Sequence, residues 1–404
     1  MREERLKKET LAGMLSAFPA SARQSLPLSF ENYLIFPGLC DVHVHTREPG
    51  FSYKETVASV SLAGAHGGYT DLCAMPNLSP VPDSPKTLAA ERAVIARDAR
   101  VRIHPYGAIT AGEAGSRLSD FAAMAPFVPG FSDDGRGVQR EELMQAAMEE
   151  AKKLDRLIVA HCEDETLLHG GYIHDGAYAR AHGHRGICAE SEYRQLERDL
   201  SLVRKTGVRY HACHLSAKES VALIRRAKRE GLDVSCETAP HYLLLTENDL
   251  REDGAFKMNP PLREEADRRA LIEGVLDGTI DMIATDHAPH SQEEKSRGLA
   301  GSLFGITGLE TAFPVLYTRL VRTGILTASA LKALLCDNPR RRFGLPERPE
   351  DFAVFEVQTP FRVSPEAFFS KGKSTPFAGW EVYGQCVQTV MEGKTVWKSE
   401  QNEN

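Results

Sequence analysis

A short segment near the start of the chain places one acid and two histidines on alternate positions. The segment is DVHVH, which contains Asp41, His43 and His45. Side chains two residues apart leave the same face of a β-strand, so these three would point together. Two neighbouring imidazoles can bind a divalent metal ion, but a His-x-His pair alone does not establish a site. The rest of the chain must therefore supply further ligands at equivalent places.

Polar residues of the same types end several other apolar, β-prone segments. In chain order they are Asn77, Asp133, Asp134, His161, His214 and Asp286. Imidazoles combined with carboxylates form the ligand set that zinc prefers, and a catalytic zinc site keeps one position open for water. Core packing does not account for so many such residues at successive strand ends. The pattern predicts a catalytic metal site, whereas His104, His211 and His241 are interpreted as hydrogen-bonded structural residues.

The elements that carry these residues alternate between β-strands and helices. Eight strands are predicted at 39–45, 69–77, 102–110, 129–135, 156–164, 208–216, 233–241 and 281–290. Helical periodicity follows at 84–99, 140–154, 217–231 and 265–278, with Ser84 and Ser216 as candidate N-caps. Repeated β-α units predict a parallel sheet with both faces buried, and eight units predict a closed (β/α)8 TIM-like barrel. The active site of such a barrel lies at the carboxyl ends of its strands.

Both chain ends differ from this pattern. The C-terminal part contains alternating segments with a glycine turn, including DFAVFEV and GWEVYGQCVQTVMEGKTVWK, which are typical of antiparallel β structure. The segment SFENYLIFPG could pair with them, although residues 1 to about 28 are interpreted as helical. We expect a small flanking β domain made from residues 1–36 and 346–404, around a barrel formed by residues 37–345.

The bulk composition excludes several classes of partner. The net charge of -7 argues against a nucleic-acid or anionic-membrane surface, so small molecules are the expected ligands. No apolar segment approaches the roughly 20 residues that a membrane span needs, and no signal peptide is recognised. The eight cysteines lie mostly in apolar segments without a Cys-x-x-Cys pair, so we expect buried free thiols. These features predict a cytoplasmic enzyme.

Several motifs resemble those of a known family. The segments DVHVHTREPG, MPN, FSDDGRGVQ, VAHCED, HACHLS, KMNPPLR and IATDHAPH are similar to the amidohydrolase superfamily and, closely, to the bacterial class I dihydroorotases. DVHVH alone would indicate only the superfamily, whereas HTREPG with MPN and ATDHAPH is specific to the family. The similarity extends from about residue 35 to the C-terminus.

The resemblance implies a role for each metal ligand. It makes His43 and His45 ligands of one metal, makes His161 and His214 ligands of a second, and gives Asp286 a dual role as ligand and proton carrier. Many relatives bridge two metals with a carboxylated lysine, but this chain has no lysine between Lys86 and Lys152. The class I pattern places an aspartate there, which is Asp134. One or two zinc ions per subunit are both compatible with this pattern.

The resemblance also implies the reaction and the substrate contacts. A class I dihydroorotase interconverts N-carbamoyl-L-aspartate and L-dihydroorotate in de novo pyrimidine (UMP) biosynthesis, through a zinc-bound hydroxide. The implied substrate-binding residues are His45, Arg47, Asn77, Asn259, His290, Phe304 and Gly305. The polar segment 291–302 is interpreted either as a mobile lid or as a disordered connector.

Two alternative functions and two assemblies stay open. Hydantoinases and allantoinases share the expected fold and metals, but they resemble the carboxylated-lysine pattern and lack the Arg-Glu-Pro-Gly context. A non-catalytic partner of aspartate carbamoyltransferase would typically lose metal ligands, whereas this chain keeps all six. A homodimer and an association with aspartate carbamoyltransferase are both compatible with the family resemblance.

Overall fold

The computed structural model describes residues 28–30 and 32–399. The helix predicted over residues 1 to about 28 therefore lies, apart from its last residue, outside the described residues. The strands are β1 (Leu28–Phe30), β2 (Tyr33–Pro37), β3 (Leu39–Val44), β4 (Tyr69–Ala74), β5 (Arg102–Pro105), β6 (Gly107–Ala108), β7 (Gly130–Ser132), β8 (Leu157–Ala160), β9 (Ile173–His174), β10 (Gly186–Ile187), β11 (Arg209–Ala212), β12 (Val234–Thr238), β13 (Met282–Ile283), β14 (Phe352–Glu356), β15 (Phe361–Arg362), β16 (Glu381–Val382), β17 (Gln385–Met391) and β18 (Lys394–Lys398).

Helices follow most of the barrel strands. The α-helices are α1 (Val57–Gly67), α2 (Pro85–Asp98), α3 (Phe121–Met124), α4 (Glu141–Lys153), α5 (Ala177–His182), α6 (Glu190–Thr206), α7 (Lys218–Arg229), α8 (Pro240–Leu244), α9 (Glu265–Leu276), α10 (Gln292–Lys295), α11 (Gly298–Gly301), α12 (Ala312–Leu316), α13 (Ala328–Lys332) and α14 (Asn338–Phe343). Two π-helical segments, Tyr317–Val321 and Ala333–Asp337, continue α12 and α13.

The central strands form the predicted parallel barrel. Strands β3, β4 and β5 form one sheet, and β6, β7, β8, β11, β12 and β13 form another, with all pairings parallel. Only Tyr106 separates β5 from β6, so the third predicted strand is divided between the two sheets. The other seam closes where Val44 bridges His287 and the His45 amide donates to the His287 carbonyl at 2.9 Å. The eight-stranded barrel prediction is confirmed.

Local sequence signals account for one of the two predicted helix starts. Ser84 caps α2 through a capping box with Thr87, as predicted. The prediction that Ser216 caps α7 is wrong, because the helix begins after Ala217 without a side-chain cap. The Ser216 hydroxyl instead donates to the buried carboxylate of Glu192 in α6. The Ser216 side chain therefore bonds to a charged carboxylate rather than to the backbone N–H groups at the start of α7.

The two chain ends form the expected small antiparallel sheet. Its strand order is β1-β2-β14-β17-β18, so the segment before the barrel pairs with the C-terminal segments. Phe355 of this sheet stacks on Phe313 of α12 with ring centroids 3.5 Å apart, and Phe36 contacts Phe313 edge-on at 5.2 Å. All three rings are fully buried, so they join the sheet to the barrel. We retain the boundaries at residues 36/37 and 345/346 as a proposal.

Two further expectations concern the thiols and the membrane. All eight cysteines are free, and every one except Cys188 is buried, as expected. Among the described residues, no helix has both the length and the apolar character needed to cross a membrane.

Candidate active site

The six predicted metal ligands meet at the carboxyl ends of the barrel strands. His43 and His45 come from β3 and the residue after it, and Asp286 follows β13 across the closing seam. The His43 Nε2 atom lies 3.4 Å from Asp134 Oδ1 and 3.5 Å from Asp286 Oδ1. The His45 Nε2 atom lies 3.3 Å from Asp286 Oδ1 and 3.4 Å from Asp134 Oδ2. These two imidazoles and two carboxylates therefore form one compact cluster.

The remaining two ligands approach Asp134 Oδ1, the same carboxylate oxygen that His43 faces. His161 follows β8 and His214 follows β11, and their nearest ring nitrogens, Nδ1 and Nε2, are 2.9 Å apart. Those nitrogens lie 3.6 Å and 3.5 Å from Asp134 Oδ1. Asp134 therefore contacts both histidine pairs, which is the position predicted for a bridging carboxylate.

The chemistry of this cluster fits a metal ion. His43 Nε2 and Asp134 Oδ1 are both buried and have no hydrogen-bond partner among the described residues. Buried polar atoms rarely stay unpaired, and a cation between them would satisfy both. The ligand atoms of His43, His45 and Asp286 lie within 4.8 Å of one another, as do those of His43, Asp134 and His214. Two overlapping groups of three ligands are thus preformed.

The electrostatic balance of the cluster also favours a cation. Burial alone would raise the pKa of Asp134, but the charge of His43 and the nearby imidazoles of His161 and His214 hold it well below its usual range. Burial would lower the pKa of His43, yet Asp134 and Asp286 raise it well above the ordinary value. The carboxylates thus stay ionised and attract positive charge to the imidazoles. A divalent ion would supply that charge.

One cavity of about 180 Å³ opens beside this cluster. All seven predicted substrate-binding residues line it, and they are His45, Arg47, Asn77, Asn259, His290, Phe304 and Gly305. Four further predicted metal ligands also line it, and they are Asp134, His161, His214 and Asp286. Residues that are far apart in the chain thus share one small concave site next to the metal ligands.

Comparison with known proteins identifies the family. A family model described as dihydro-orotase-like matches residues 32–220. A dihydroorotase from Geobacillus kaustophilus (strain HTA426) is 48% identical over 397 residues, which cover 96% of this chain and 93% of that protein. A dihydroorotase from Bacillus caldolyticus matches with the same identity and coverage. This chain belongs to the dihydroorotase family.

Solved structures place this dihydroorotase-family chain among the amidohydrolase barrels. An L-hydantoinase (dihydropyrimidinase) from Arthrobacter aurescens has a TM-score of 0.81 at 25% identity, covering 90% of this chain and 85% of that one. A D-hydantoinase (dihydropyrimidinase) from Thermus sp. has a TM-score of 0.75 at 21% identity, covering 92% and 88%. The barrel with a flanking β domain is therefore a fold shared with hydantoinases.

Glu237 contacts the candidate metal-ligand cluster of this dihydroorotase-family chain and was not predicted from the sequence. Its Oε1 atom lies 2.7 Å from His43 Nδ1, and its Oε2 atom lies 3.0 Å from His211 Nε2. Burial opposes ionisation, but His43 and His211 lower the pKa of Glu237 to about 2. Because Nδ1 of His43 donates to this carboxylate, Nε2 is the nitrogen left to bind a metal ion, which would replace its proton. The available signal was an acid inside the apolar predicted strand 233–241, whereas only His241 at the end of that strand was considered.

Glu163 is a second supporting acid that the sequence interpretation missed. Its Oε2 atom lies 3.5 Å from His161 Nε2, and its Oε1 atom accepts a 2.9 Å hydrogen bond from Asn259 Nδ2. The carboxylate therefore connects a predicted metal ligand with a predicted substrate-binding residue. Its place two residues after His161, in HCED, was the only sequence signal.

Two other acids near the cluster have structural roles. Asp41 accepts from the backbone amides of His43 at 3.0 Å and Thr285 at 3.1 Å, so it joins β3 to the end of β13. Asp133 accepts from the amides of Ile109 at 2.8 Å and Thr110 at 3.0 Å. Neither belongs to the ligand groups, although the alternation in DVHVH predicted Asp41 beside the two histidines.

The three histidines interpreted as structural fall into two kinds. His104 pairs with Asp71 at 3.0 Å, and His211 pairs with Ser235 and Glu237, so both are hydrogen-bonded as predicted. For His241 the prediction is wrong, because its buried Nε2 atom has no hydrogen-bond partner within the described part of the chain. Its ring packs 4.1 Å from that of Tyr242, and burial lowers its pKa to about 4. The imidazole is therefore neutral and packed mainly as an apolar ring.

Three predicted site residues have backbone conformations that side-chain-bearing residues rarely adopt. The φ angles are 59° at Arg47, 32° at His214 and 49° at Asp286. Left-handed conformations cost energy, and they concentrate at functional sites where the surroundings impose them. Each of these residues lies just beyond a strand end, where the unusual turn directs its side chain to the cavity.

The segment 291–302 contains two short helices, α10 and α11, so the interpretation as a disordered connector is wrong. Lys295 of α10 is buried and donates to the carbonyls of Lys257 at 3.0 Å and Leu303 at 2.8 Å. These bonds connect the segment with the loop that carries Asn259. A mobile lid stays a prediction.

Proposed function

We propose that this chain catalyses the reversible cyclisation of N-carbamoyl-L-aspartate to L-dihydroorotate and water in de novo pyrimidine (UMP) biosynthesis. The observation that carries the proposal is the single cavity in which Arg47, Asn77 and His290 lie beside the metal ligands. A cationic, amide and imidazole donor set suits a substrate carboxylate, and the adjacent metal cluster suits hydrolysis of an amide. The names of the 48% identical relatives agree with this reaction.

We assign the metal as zinc, with one or two ions per subunit. His43, His45 and Asp286 would hold one ion, His161 and His214 a second, and Asp134 would contact both. Bound zinc lowers the pKa of water toward neutrality and polarises a carbonyl group. The protein residues then bind the substrate, orient its ring and move the proton.

Asp286 is the proposed proton carrier. Its side chain lines the cavity, and its Oδ1 atom lies 3.3 Å from His45 Nε2. In ring opening, the carboxylate would take a proton from the attacking water and deliver it to the ring nitrogen as the amide bond breaks. In ring closure the same carboxylate would take the proton from the carbamoyl nitrogen and return it to the departing water.

Substrate recognition would use the remaining cavity residues. The Arg47 Nε atom donates to the Pro289 carbonyl at 3.2 Å, which fixes one edge of the guanidinium and leaves other N–H groups for the substrate carboxylate. The Oδ1 atoms of Asn77 and Asn259 are buried without hydrogen-bond partners among the described residues. The Asn259 oxygen is suited to accept from a ring N–H group, whereas Asn77 is assigned to the substrate carboxylate.

Gly305 brings the backbone close to the cavity. A Cβ atom at this position would lie 2.5 Å from the Ala288 carbonyl oxygen, and its φ angle is 130°. Only glycine fits here, so the main chain between Phe304 and Gly305 can contact the substrate ring directly.

The alternatives are less well supported. Hydantoinases share the fold, but the solved hydantoinases are at most 25% identical among the relatives described above, against 48% for the dihydroorotases. A non-catalytic partner of aspartate carbamoyltransferase would not need six converging ligands. A cytoplasmic location, a homodimer and an association with aspartate carbamoyltransferase stay predictions.

The test is a direct assay of the purified chain. Ring opening of L-dihydroorotate and ring closure of N-carbamoyl-L-aspartate would be measured before chelation, after chelation and after zinc is returned. We expect activity that chelation removes and zinc restores, with hydantoin and allantoin turned over at least about 100-fold more slowly, as expected where cavity polar groups must be matched. Preferred turnover of hydantoin or allantoin would replace the substrate assignment, and inactivity of the zinc-loaded chain would overturn it.

A further inference from the structure

A lysine outside the metal cluster contacts one of the proposed substrate-binding residues. The Lys54 Nζ atom lies 3.2 Å from His290 Nδ1 and 3.0 Å from Glu294 Oε1. Lys54 belongs to the loop after β3, whereas His290 and Glu294 belong to the segment after β13. The Lys54 side chain is only 11% exposed, so water screens these contacts weakly. Two loops at the edge of the cavity are thus joined through one ammonium group.

The contacts of His290 specify a single tautomer. A lysine ammonium only donates hydrogen bonds, so the Nδ1 atom that faces Lys54 must present a lone pair. On the other side of the ring, Nε2 lies 2.7 Å from the Phe304 carbonyl oxygen, which only accepts. Nε2 must therefore carry the proton. Both partners select the neutral imidazole with its N–H on Nε2.

We propose that Lys54 is a positioning residue that holds His290 as the neutral Nε2–H tautomer, whose N–H donates to the Phe304 carbonyl. The Arg47 Nη2 atom lies 3.4 Å from the same nitrogen. This inference rests on the proposed function for its effect on catalysis, because the carboxylate of dihydroorotate would bind beside Arg47 and His290. A protonated Nε2 cannot accept from the guanidinium, so the Arg47 Nη2 N–H groups stay available for the substrate carboxylate.

Glu294 explains why a cation is needed at this position. Its Oε2 atom lies 3.4 Å from His290 Nδ1, so an unopposed carboxylate would draw a proton onto that nitrogen. Lys54 lies closer and neutralises Glu294, which also accepts from the Tyr53 hydroxyl at 3.1 Å. The charged groups that act on His290 are Arg47, Lys54, Lys295 and Glu294. Burial first, then Arg47 and Lys54, lower the pKa of His290 to about 3, which agrees with a neutral ring.

Histidine nitrogen NMR on the zinc-loaded full chain measures the tautomer directly. The His290 signals are identified as those missing from the spectrum of the His290→Gln variant. We expect the wild-type protein to show a protonated Nε2 and an unprotonated Nδ1 from pH 5 to 8. In Lys54→Met, Glu294 should draw a proton onto Nδ1, giving either the other tautomer or the imidazolium. Lys54→Arg should restore the wild-type signals.

Lys371 provides the matched control. Its Nζ atom donates to the Ser52 carbonyl at 2.6 Å and so anchors the same loop without touching His290. Lys371→Met should leave the His290 signals unchanged. If Lys371→Met shifts them as Lys54→Met does, loop anchoring explains the effect and the inference fails. An Nδ1–H signal in the wild-type protein would overturn it as well.

Kinetics separate this inference from the proposed function. For Lys54→Met we expect the KM for dihydroorotate to rise about tenfold, the usual effect of a lost charge-assisted contact, with kcat changed less than about threefold. Lys54→Arg and Lys371→Met should stay near the wild-type KM. An unchanged KM in Lys54→Met, together with an altered tautomer, would refute the claim that the tautomer of His290 affects substrate binding. If the wild-type chain does not open dihydroorotate, the proposed function fails, while the NMR measurement still decides the tautomer.

Discussion

Replacing Glu237 with glutamine tests whether the carboxylate that contacts His43 Nδ1 increases the affinity of the proposed site for zinc. Glu237 is 1% exposed, and its two oxygens lie 2.7 Å from His43 Nδ1 and 3.0 Å from His211 Nε2. Glutamine keeps the shape of the side chain but removes the charge and one acceptor. Its amide oxygen can still accept from His43, whereas its NH2 group then faces His211, which must change tautomer to accept.

The size of the effect follows from these contacts. The bond to His43 would survive as a neutral one, so the imidazole would keep its orientation but lose basicity at Nε2. Loss of a carboxylate partner of a ligand histidine typically weakens metal binding about 10- to 100-fold. That range corresponds to about 1.4–2.7 kcal/mol. Because the cluster contains six proposed ligands, the site should persist at high zinc concentration.

The assay is competition for zinc against a chelator of known affinity, followed by metal analysis of the protein. Asp199→Asn is the matched control, because Asp199 is also fully buried in the barrel and accepts from Tyr210 and Arg198. It lies in none of the ligand groups, so its loss should lower stability without changing zinc affinity. A Glu237→Gln protein that binds zinc within about twofold of wild type would refute the assigned role of this carboxylate.

Three further predictions concern substrate binding, stability and pH. Arg47→Lys should raise the KM for dihydroorotate by about tenfold or more, since lysine keeps the charge but cannot contact a carboxylate with two N–H groups; an unchanged KM would contradict the assigned contact. Phe355→Ala should lower the free energy of unfolding in urea by about 3–5 kcal/mol, because it empties the stack on Phe313, and a loss below about 1 kcal/mol would exclude this coupling. Burial lowers the pKa of Lys295 to about 7, against about 10.4 in an unfolded chain. Between these values the unfolded chain binds the extra proton, so wild-type stability should rise with pH relative to Lys295→Met, and parallel pH curves would contradict this.

The barrel could be predicted because its determinants are local. Most strands are short apolar segments followed by helical periodicity, and the carboxyl ends of parallel strands must meet at one rim. The eight predicted strands occur in the structure, even where the sequence pattern is weak, as in the fourth predicted strand, which is the three-residue β7. The same rule placed His43, His161 and Asp286 together before any distance was known. Residue type and strand position were sufficient for this part of the site.

The supporting residues could not be predicted in that way. Glu237 lies 194 residues from His43 in the chain, and its role depends on which of two ring nitrogens it contacts. Ser216 illustrates the opposite error, since its sequence position predicted a helix cap but a buried carboxylate lies closer. Hydrogen bonds of this kind depend on side-chain geometry between elements. Periodicity and motifs do not contain that information.

The same limit explains why His290 needed the structure. Its place four residues after Asp286 identifies it as a candidate ligand for the substrate, but its usefulness there depends on where its one proton lies. That position is decided by Lys54 from one loop and by Phe304 from another, at 3.2 Å and 2.7 Å. A motif can therefore specify which residue type faces the substrate, whereas its protonation is determined by neighbours that the fold assembles. For this site, chemistry that depends on a single proton is a property of the tertiary structure.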